Sequence, residues 1–174
     1  MEYISSDSNV WFDFNTIGRI DVPFRLPWKY LMNQDAIEDE LLYPSGLKTN
    51  LIHLGLEATE LSEKEFYFAL EISDHHPQLT KYDSSALAIA KMRKIVLLTG
   101  DAKLRRVALD EGVTVIGTIG VLDKAVELNV ISNDEYRDCI QSLIANNGQE
   151  IRLPLAELEK RLDEIRTVEK EAKE

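Results

Sequence analysis

KIVLLTGDAKLRRVALDEGVTVIG, residues 94–117, decides the reading of the fold. Residues 94–98 form a nearly all-apolar run of strand length, the pattern of a parallel strand buried on both faces. Thr99-Gly100-Asp101 then turns the chain into a segment where Leu104, Val107 and Ala108 recur at helical spacing. A further short strand follows at 113–116. Strand, helix and strand in this order form one unit of a parallel sheet.

The same alternation extends in both directions. Upstream, residues 3–6 read as a short strand. Asp7-Ser8-Asn9 follows, and Val10, Trp11, Phe12, Phe14 and Ile17 then fit a helix ending at Gly18. A second strand is expected at 30–32, and a helix over 34–42 stops before Pro44, because the residue preceding a proline disfavours helix. A third strand is expected near 53–58. Ser62-Glu63-Lys64-Glu65 is a capping box opening a helix through Phe66, Ala69, Leu70 and Ile72. Thr80-Lys81-Tyr82-Asp83 repeats the device before Ala86, Leu87, Ile89 and Ala90. Beyond Gly120 the chain reads as helical, with another capping box at Ser132-Asn133-Asp134-Glu135 and a break at Asn146-Asn147-Gly148. Leu155, Leu158, Leu162 and Ile165 trace an apolar stripe on a charged terminal helix, and that stripe needs cover. The class is α/β: a three-layer α/β/α sandwich with a central parallel sheet, extended by C-terminal helices.

With 174 residues, 44% of them hydrophobic and 29% charged, the chain can bury a full core. The single cysteine, Cys139, cannot form an internal disulfide, and the start lacks the basic and apolar regions of a secretory signal; a cytoplasmic setting is expected. No run reaches membrane-spanning length. A net charge of −11 and a pI near 4.8 argue against a broad basic surface for nucleic acid. Part of that excess lies in the glutamate-rich tail over 155–174.

Asp7 and Asp101 each follow a strand directly. In an open parallel sheet the crevice outside the carboxyl ends of the strands is where ligands collect, so adjacent strands would bring both acids to one site. Crowded carboxylates repel, and a proton or a cation relieves them. A hard, oxygen-liganded ion such as Mg²⁺ suits such a set, with Mn²⁺ a close substitute. Each acid also has a purely structural explanation as a helix cap, contributing about 1 kcal/mol.

SSDSN at 5–9, AIEDELL at 36–42, LTKYDSSALAIA at 79–90 and LLTGDAKLRRVALDEGVTVIGTIGVL at 97–122 together resemble the successive signatures of PIN-domain ribonucleases, including the toxin-type nucleases of toxin–antitoxin pairs. The likeness spans about residues 3–130, which divides the chain into a nuclease domain over 1–130 and a helical extension over 131–174. The resemblance implies that Asp7, Glu40, Asp83 and Asp101 hold Mg²⁺ or Mn²⁺ and form the catalytic set. Ser8, Asn9 and Thr99 support them. The glutamate of the second motif falls best on Glu40, with Asp39 and Glu38 adjacent. The implied activity is endonucleolytic hydrolysis of RNA by water, with an antitoxin protein as a candidate partner. The terminal helix and the segment 19–29 depart from the family pattern.

Lys91, Arg93, Lys94, Lys103, Arg105 and Arg106 form a basic cluster around the Asp101 turn. Lys91, Lys103, Arg105 and Arg106 are the expected RNA contacts, against the alternative of a solvated helix face. His75-His76 lacks further ligands at metal spacing and reads as surface. Trp11, Phe12 and Phe14 read as core. No GxGxxG follows the first strand, which removes a dinucleotide site. A homodimer is expected from the terminal stripe if the domain itself does not cover it. Two other classes compete. One is a non-enzymatic binding or assembly module of the same fold, in which the acids are only caps. The other is an aspartyl phosphoryl-transfer domain, whose second acid would stand where Asn9 does.

Overall fold

The computed structural model describes residues 2–171. Its centre is the strand and turn read first in the sequence: β4 (Val96–Leu98) leads through Thr99-Gly100 to Asp101, which caps α7 (Ala102–Asp110). Asp101 caps by accepting the free N–H groups of Lys103 and Leu104, donors that a helix start otherwise leaves unsatisfied. On one side of β4 lies β5 (Val115–Ile116). On the other lies β1 (Glu2–Ser6), followed outward by β2 (Trp28–Asn33) and β3 (Glu57–Thr59). All pairings in this five-stranded sheet are parallel.

Parallel strands need crossovers, and the helices supply them on both faces. The residues of β4 show the division: Leu97 packs into one core cluster and its neighbour Leu98 into the other, as the two-residue period of a strand requires. Leu97 meets α7, α6 (Lys81–Arg93) and α5 (Glu63–His75). Helix α6 is buried continuously from Ser84 to Ala90, and its serines and alanines let it lie close to the sheet. The hydroxyl of Ser5 on β1 donates to the carbonyl of Ala86 at 2.8 Å, so the backbone is reached directly.

Leu98 and Ile4 face the larger core, built on α1 (Ser8–Thr16), α2 (Asp21–Phe24), α3 (Gln34–Glu40), α4 (Leu47–Leu54), α8 (Thr118–Glu127), α9 (Asn133–Asn146) and α10 (Leu155–Glu171). The three-layer α/β/α sandwich is therefore present, with ten helices among the described residues. Trp11 and Phe14 are fully buried here and Phe12 partly so. Trp11 stacks on Phe24 at 5.2 Å and meets Tyr30 edge-on at 5.1 Å. Replacing Trp11 by alanine should cost about 3–5 kcal/mol, read as a lower urea midpoint at unchanged slope. A cost under about 1 kcal/mol would mean the cluster does not anchor α1.

Two expectations need correction. The third strand lies later than expected, at Glu57–Thr59, and α4 ends inside the span expected for it. Leu47 and Leu51, four residues apart, bury one face of α4, and Gly46 (φ 87°) and Gly55 (φ 121°) bracket the helix. The second strand begins earlier than expected, at Trp28, and segment 19–29, for which the sequence pattern predicts no element, also carries α2.

Helices α9 and α10 continue the larger core, because Ile140, Leu143 and Leu158 are buried in the same cluster as Trp11. Leu162 and Ile165 are partly covered there, whereas Leu155 stands 46% exposed, so the covered stripe begins one turn later than the sequence pattern. Residues 172–174 of the expected extension, like Met1, lie outside the described residues. Among the described residues no helix is long and apolar enough to cross a membrane.

Candidate active site

The sheet order places β1 between β2 and β4, so chain connections diverge to opposite sides at the junction of β1 and β4. Ser6 pairs with Leu98, and Asp7 and Thr99 leave the sheet side by side. The Asp7 amide donates to the Leu98 carbonyl at 3.0 Å, which extends the ladder by one bond. A crevice at this switch point is where the fold admits a ligand.

Asp7 is buried, and both of its oxygens are engaged: Oδ1 accepts the Ser8 amide at 2.7 Å and Oδ2 the Thr99 hydroxyl at 2.9 Å. Thr99 Oγ1 in turn accepts the Asp101 amide at 3.1 Å. Asn9 Oδ1 accepts the Gly100 amide at 3.0 Å, so two side chains from the start of α1 fix the turn after β4. Thr99 thus bonds Asp7 through its hydroxyl, Ser8 through its backbone amide, and Asn9 holds the turn that carries Asp101.

Asp83 sits in the first turn of α6 with Oδ2 on the Thr80 amide at 2.7 Å, completing a reciprocal capping box. Glu40 ends α3, half-buried, with the Ser8 side chain near enough to offset part of the rise in its pKa. Its Oε2 is buried with no hydrogen-bond partner among the described residues. The neighbouring Asp39 turns outward and accepts the Tyr82 hydroxyl. Of the adjacent acids, Glu40 is the one whose charge reaches Asp7.

Electrostatics joins the group. Burial, then the Asp83 carboxylate and more weakly Glu40, push the Asp7 pKa up to about 7, although Thr99 and Ser8 pull it back. Glu40 is raised by burial and further by Asp83 and Asp39. Asp83 is raised by burial and by Asp101, while nearby Lys103 lowers it. The fold therefore holds several carboxylates within reach of one another's charge, which disfavours ionising all of them without a counter-charge. The donors are all oxygens, one of them orphaned, which fits a hard cation. Among the described residues no three His, Cys, Asp or Glu side chains converge enough to hold an ion by themselves.

The basic cluster divides. Lys91 lies at the far end of α6, bonded to the Glu111 carbonyl and lining a hollow with Glu2 and Val96, where strands begin; it does not reach the acids. Arg93 is bound to buried Glu65 at 2.6 Å. Arg105 lies against the turn after β5: a Cβ on Gly117 would stand 3.0 Å from its Nη2. Arg106 is exposed and, one residue on along a helix, points elsewhere. His75 is exposed and joins no site.

One functional candidate escaped the sequence reading. Asp13 is buried on α1, one turn after Asn9, and accepts the Thr118 hydroxyl at 2.6 Å; burial raises its pKa to about 6. An acid amid Trp11, Phe12 and Phe14 was the available signal.

A family model described as a PIN domain matches residues 3–167. No curated protein and no solved structure gives a match to the chain.

Proposed function

The chain belongs to the PIN-domain family, a family of nucleases, and from that premise we propose that it is a metal-dependent endoribonuclease. The observation that carries the reading is the shared field of Asp7, Glu40 and Asp83 at the sheet's switch point, with an unpartnered carboxylate oxygen on Glu40. Asp7, Glu40, Asp83 and Asp101 are the residues that would hold Mg²⁺ or Mn²⁺. Such an ion neutralises a phosphodiester, lowers the pKa of an attacking water and offsets charge on the leaving oxygen.

The chain's own groups do the positioning. Thr99 fixes Asp7 Oδ2 and, through the Asp101 amide, ties the second acid to the first. Glu40 Oε2, buried without a hydrogen-bond partner, is the oxygen that would be free to meet the ion or its water. Asn9 locks the Gly100 turn, so that both strand ends move as one. Lys103, close enough to Asp83 to lower its pKa, brings positive charge to the rim where a phosphate would enter. A cytoplasmic toxin acting on RNA and restrained by an antitoxin protein is the specific role we assign within the family.

Purified protein incubated with a mixed RNA pool and Mg²⁺ or Mn²⁺ should cleave it, and EDTA should stop the cleavage. Thr99→Val should lower the rate roughly 10- to 100-fold by releasing the orientation of Asp7. RNA left intact with both ions would make the chain a binding module in which the acids serve only as caps.

A further inference from the structure

Beside the acid crevice, on the other side of the Gly100 turn, lies a cavity of about 840 Å³. Its walls come from two distant parts of the chain. Gly100, Arg105 and Gly117 through Gly120 form one side, and Asn147, Arg152, Leu153 and Glu157 the other. The volume is that of a site for a nucleotide-sized group. Asn147 holds the second wall in place: its side-chain amide donates to the Leu153 carbonyl at 2.9 Å and its side-chain oxygen accepts the Leu153 amide at 3.2 Å.

The charge of this cavity runs against that of the chain. Its two acids, Asp123 and Glu157, are both bound by Arg161, at 3.0 Å and in a shorter contact respectively. Arg105 and Arg152 remain, and neither makes an ion pair or side-chain hydrogen bond among the described residues. Arg19, Arg25, Arg93 and Arg161, by contrast, are all in ion pairs. In a protein of net charge −11, two uncommitted guanidiniums facing one cavity form a local anion site. Gly117 is what leaves room for Arg105, since any side chain there would press on its Nη2 and on the Thr99 carbonyl, 3.0 and 3.3 Å away. The start of α8 adds backbone donors to a site that the guanidiniums already make anion-selective.

We propose that this cavity binds the backbone phosphate of the nucleotide next to the scissile bond on a single-stranded RNA, through Arg105 and Arg152. The proposal rests on the nuclease reading for its substrate, and the geometry supplies the path. Gly100 belongs both to the cavity wall and to the turn that carries Thr99 and Asp101, so a strand lying across the crevice continues into the cavity. Arg152 comes from the loop between α9 and α10, which makes the C-terminal helices part of substrate binding.

The test is binding measured apart from cleavage. Fluorescence anisotropy of a short labelled single-stranded RNA, with the full chain in EDTA, should show a Kd raised about tenfold or more by Arg105→Gln and again by Arg152→Gln. The salt dependence of log K should become shallower by about 0.7 for each phosphate no longer neutralised. Arg106→Gln, exposed on the same helix, should change Kd less than about twofold, and a DNA strand of the same sequence reports whether the sugar is read. An equal loss in Arg106→Gln, or no loss in the double variant, would overturn the site. A protein that binds RNA through both arginines yet never cleaves it would keep this site and sink the nuclease reading. One that cleaves RNA with an affinity indifferent to both would do the reverse.

Discussion

Asp7→Asn should abolish RNA cleavage and, in the same protein, raise stability at pH 8. The two effects have one cause. Asp7 is almost wholly buried, and its ionised form is disfavoured first by desolvation and then by Asp83 and Glu40, which is why its pKa stands near 7. Asparagine keeps the shape and the acceptor for the Ser8 amide, and removes the charge. If the set holds a cation as proposed, losing one carboxylate would remove several kcal/mol of transition-state stabilisation, and each 1.36 kcal/mol is tenfold in rate. A fall in kcat of at least about a hundredfold is expected with Mn²⁺ present. In EDTA at pH 8 the urea midpoint should move upward, by an amount equivalent to about 1–3 kcal/mol. The gain is trimmed because Thr99, which now donates to Oδ2, must reorient against an amide. Activity and stability moving together in the same direction would show that Asp7 is a cap and nothing more.

The capping role of these acids and the catalytic role proposed for them do not compete. Asp83 and Asp101 each use one oxygen on helix N–H groups, Oδ2 and Oδ1 respectively. A cap holds a carboxylate in one rotamer at the end of a strand or the start of a helix, which is what a site needs from a ligand residue.

What the sequence made legible is what local chemistry writes into it. Capping boxes at Ser62, Thr80 and Ser132 are all formed, because each depends on residues three apart in the chain. The strand and turn at 96–101 are equally local. The helices missed lack such a signature. Helix α4 begins at Gly46 with no side-chain cap, and α2 is four residues long with no cap, held by Tyr30 donating to the Pro23 carbonyl and by Phe24 stacking on Trp11. The different settings of Glu40 and Asp39 also lay outside local reach, since Asp39 accepts the Tyr82 hydroxyl from α6 while the Glu40 charge is felt by Asp7. Asp13 was hidden for a related reason: its partner Thr118 lies 105 residues away. The cavity needs Arg152 and Arg105 from elements that only the finished fold brings together.

The metal-free protein should lose stability as pH rises from about 5 to 8. The sign follows from linkage. The folded pKa of Asp7 is about 7, against an ordinary value of 3.8 for the free side chain, so through this window the native state binds more protons than the unfolded chain. Stability then falls with rising pH, and the contribution present below the lower value is lost as pH passes through the folded pKa. Asp13, raised to about 6, acts in the same direction. Groups with lowered values, such as Glu65 beneath Arg93, act oppositely, but their loss comes as pH falls through the ordinary carboxylate range and leaves this window clear. A tenfold change in proton affinity between the two states corresponds to about 1.4 kcal/mol, so the decline should amount to a few kcal/mol in EDTA. Asp7→Asn should flatten most of it and leave the part due to Asp13 and to the raised Glu40 and Asp83. Mn²⁺ should restore stability at pH 8 by about 2.7 kcal/mol when present at a hundred times its Kd, and should do far less at pH 5, where a protonated Asp7 is a poor ligand. A melting temperature indifferent to pH across the window, and to Mn²⁺ at pH 8, would mean that the carboxylates neither share a field nor bind an ion.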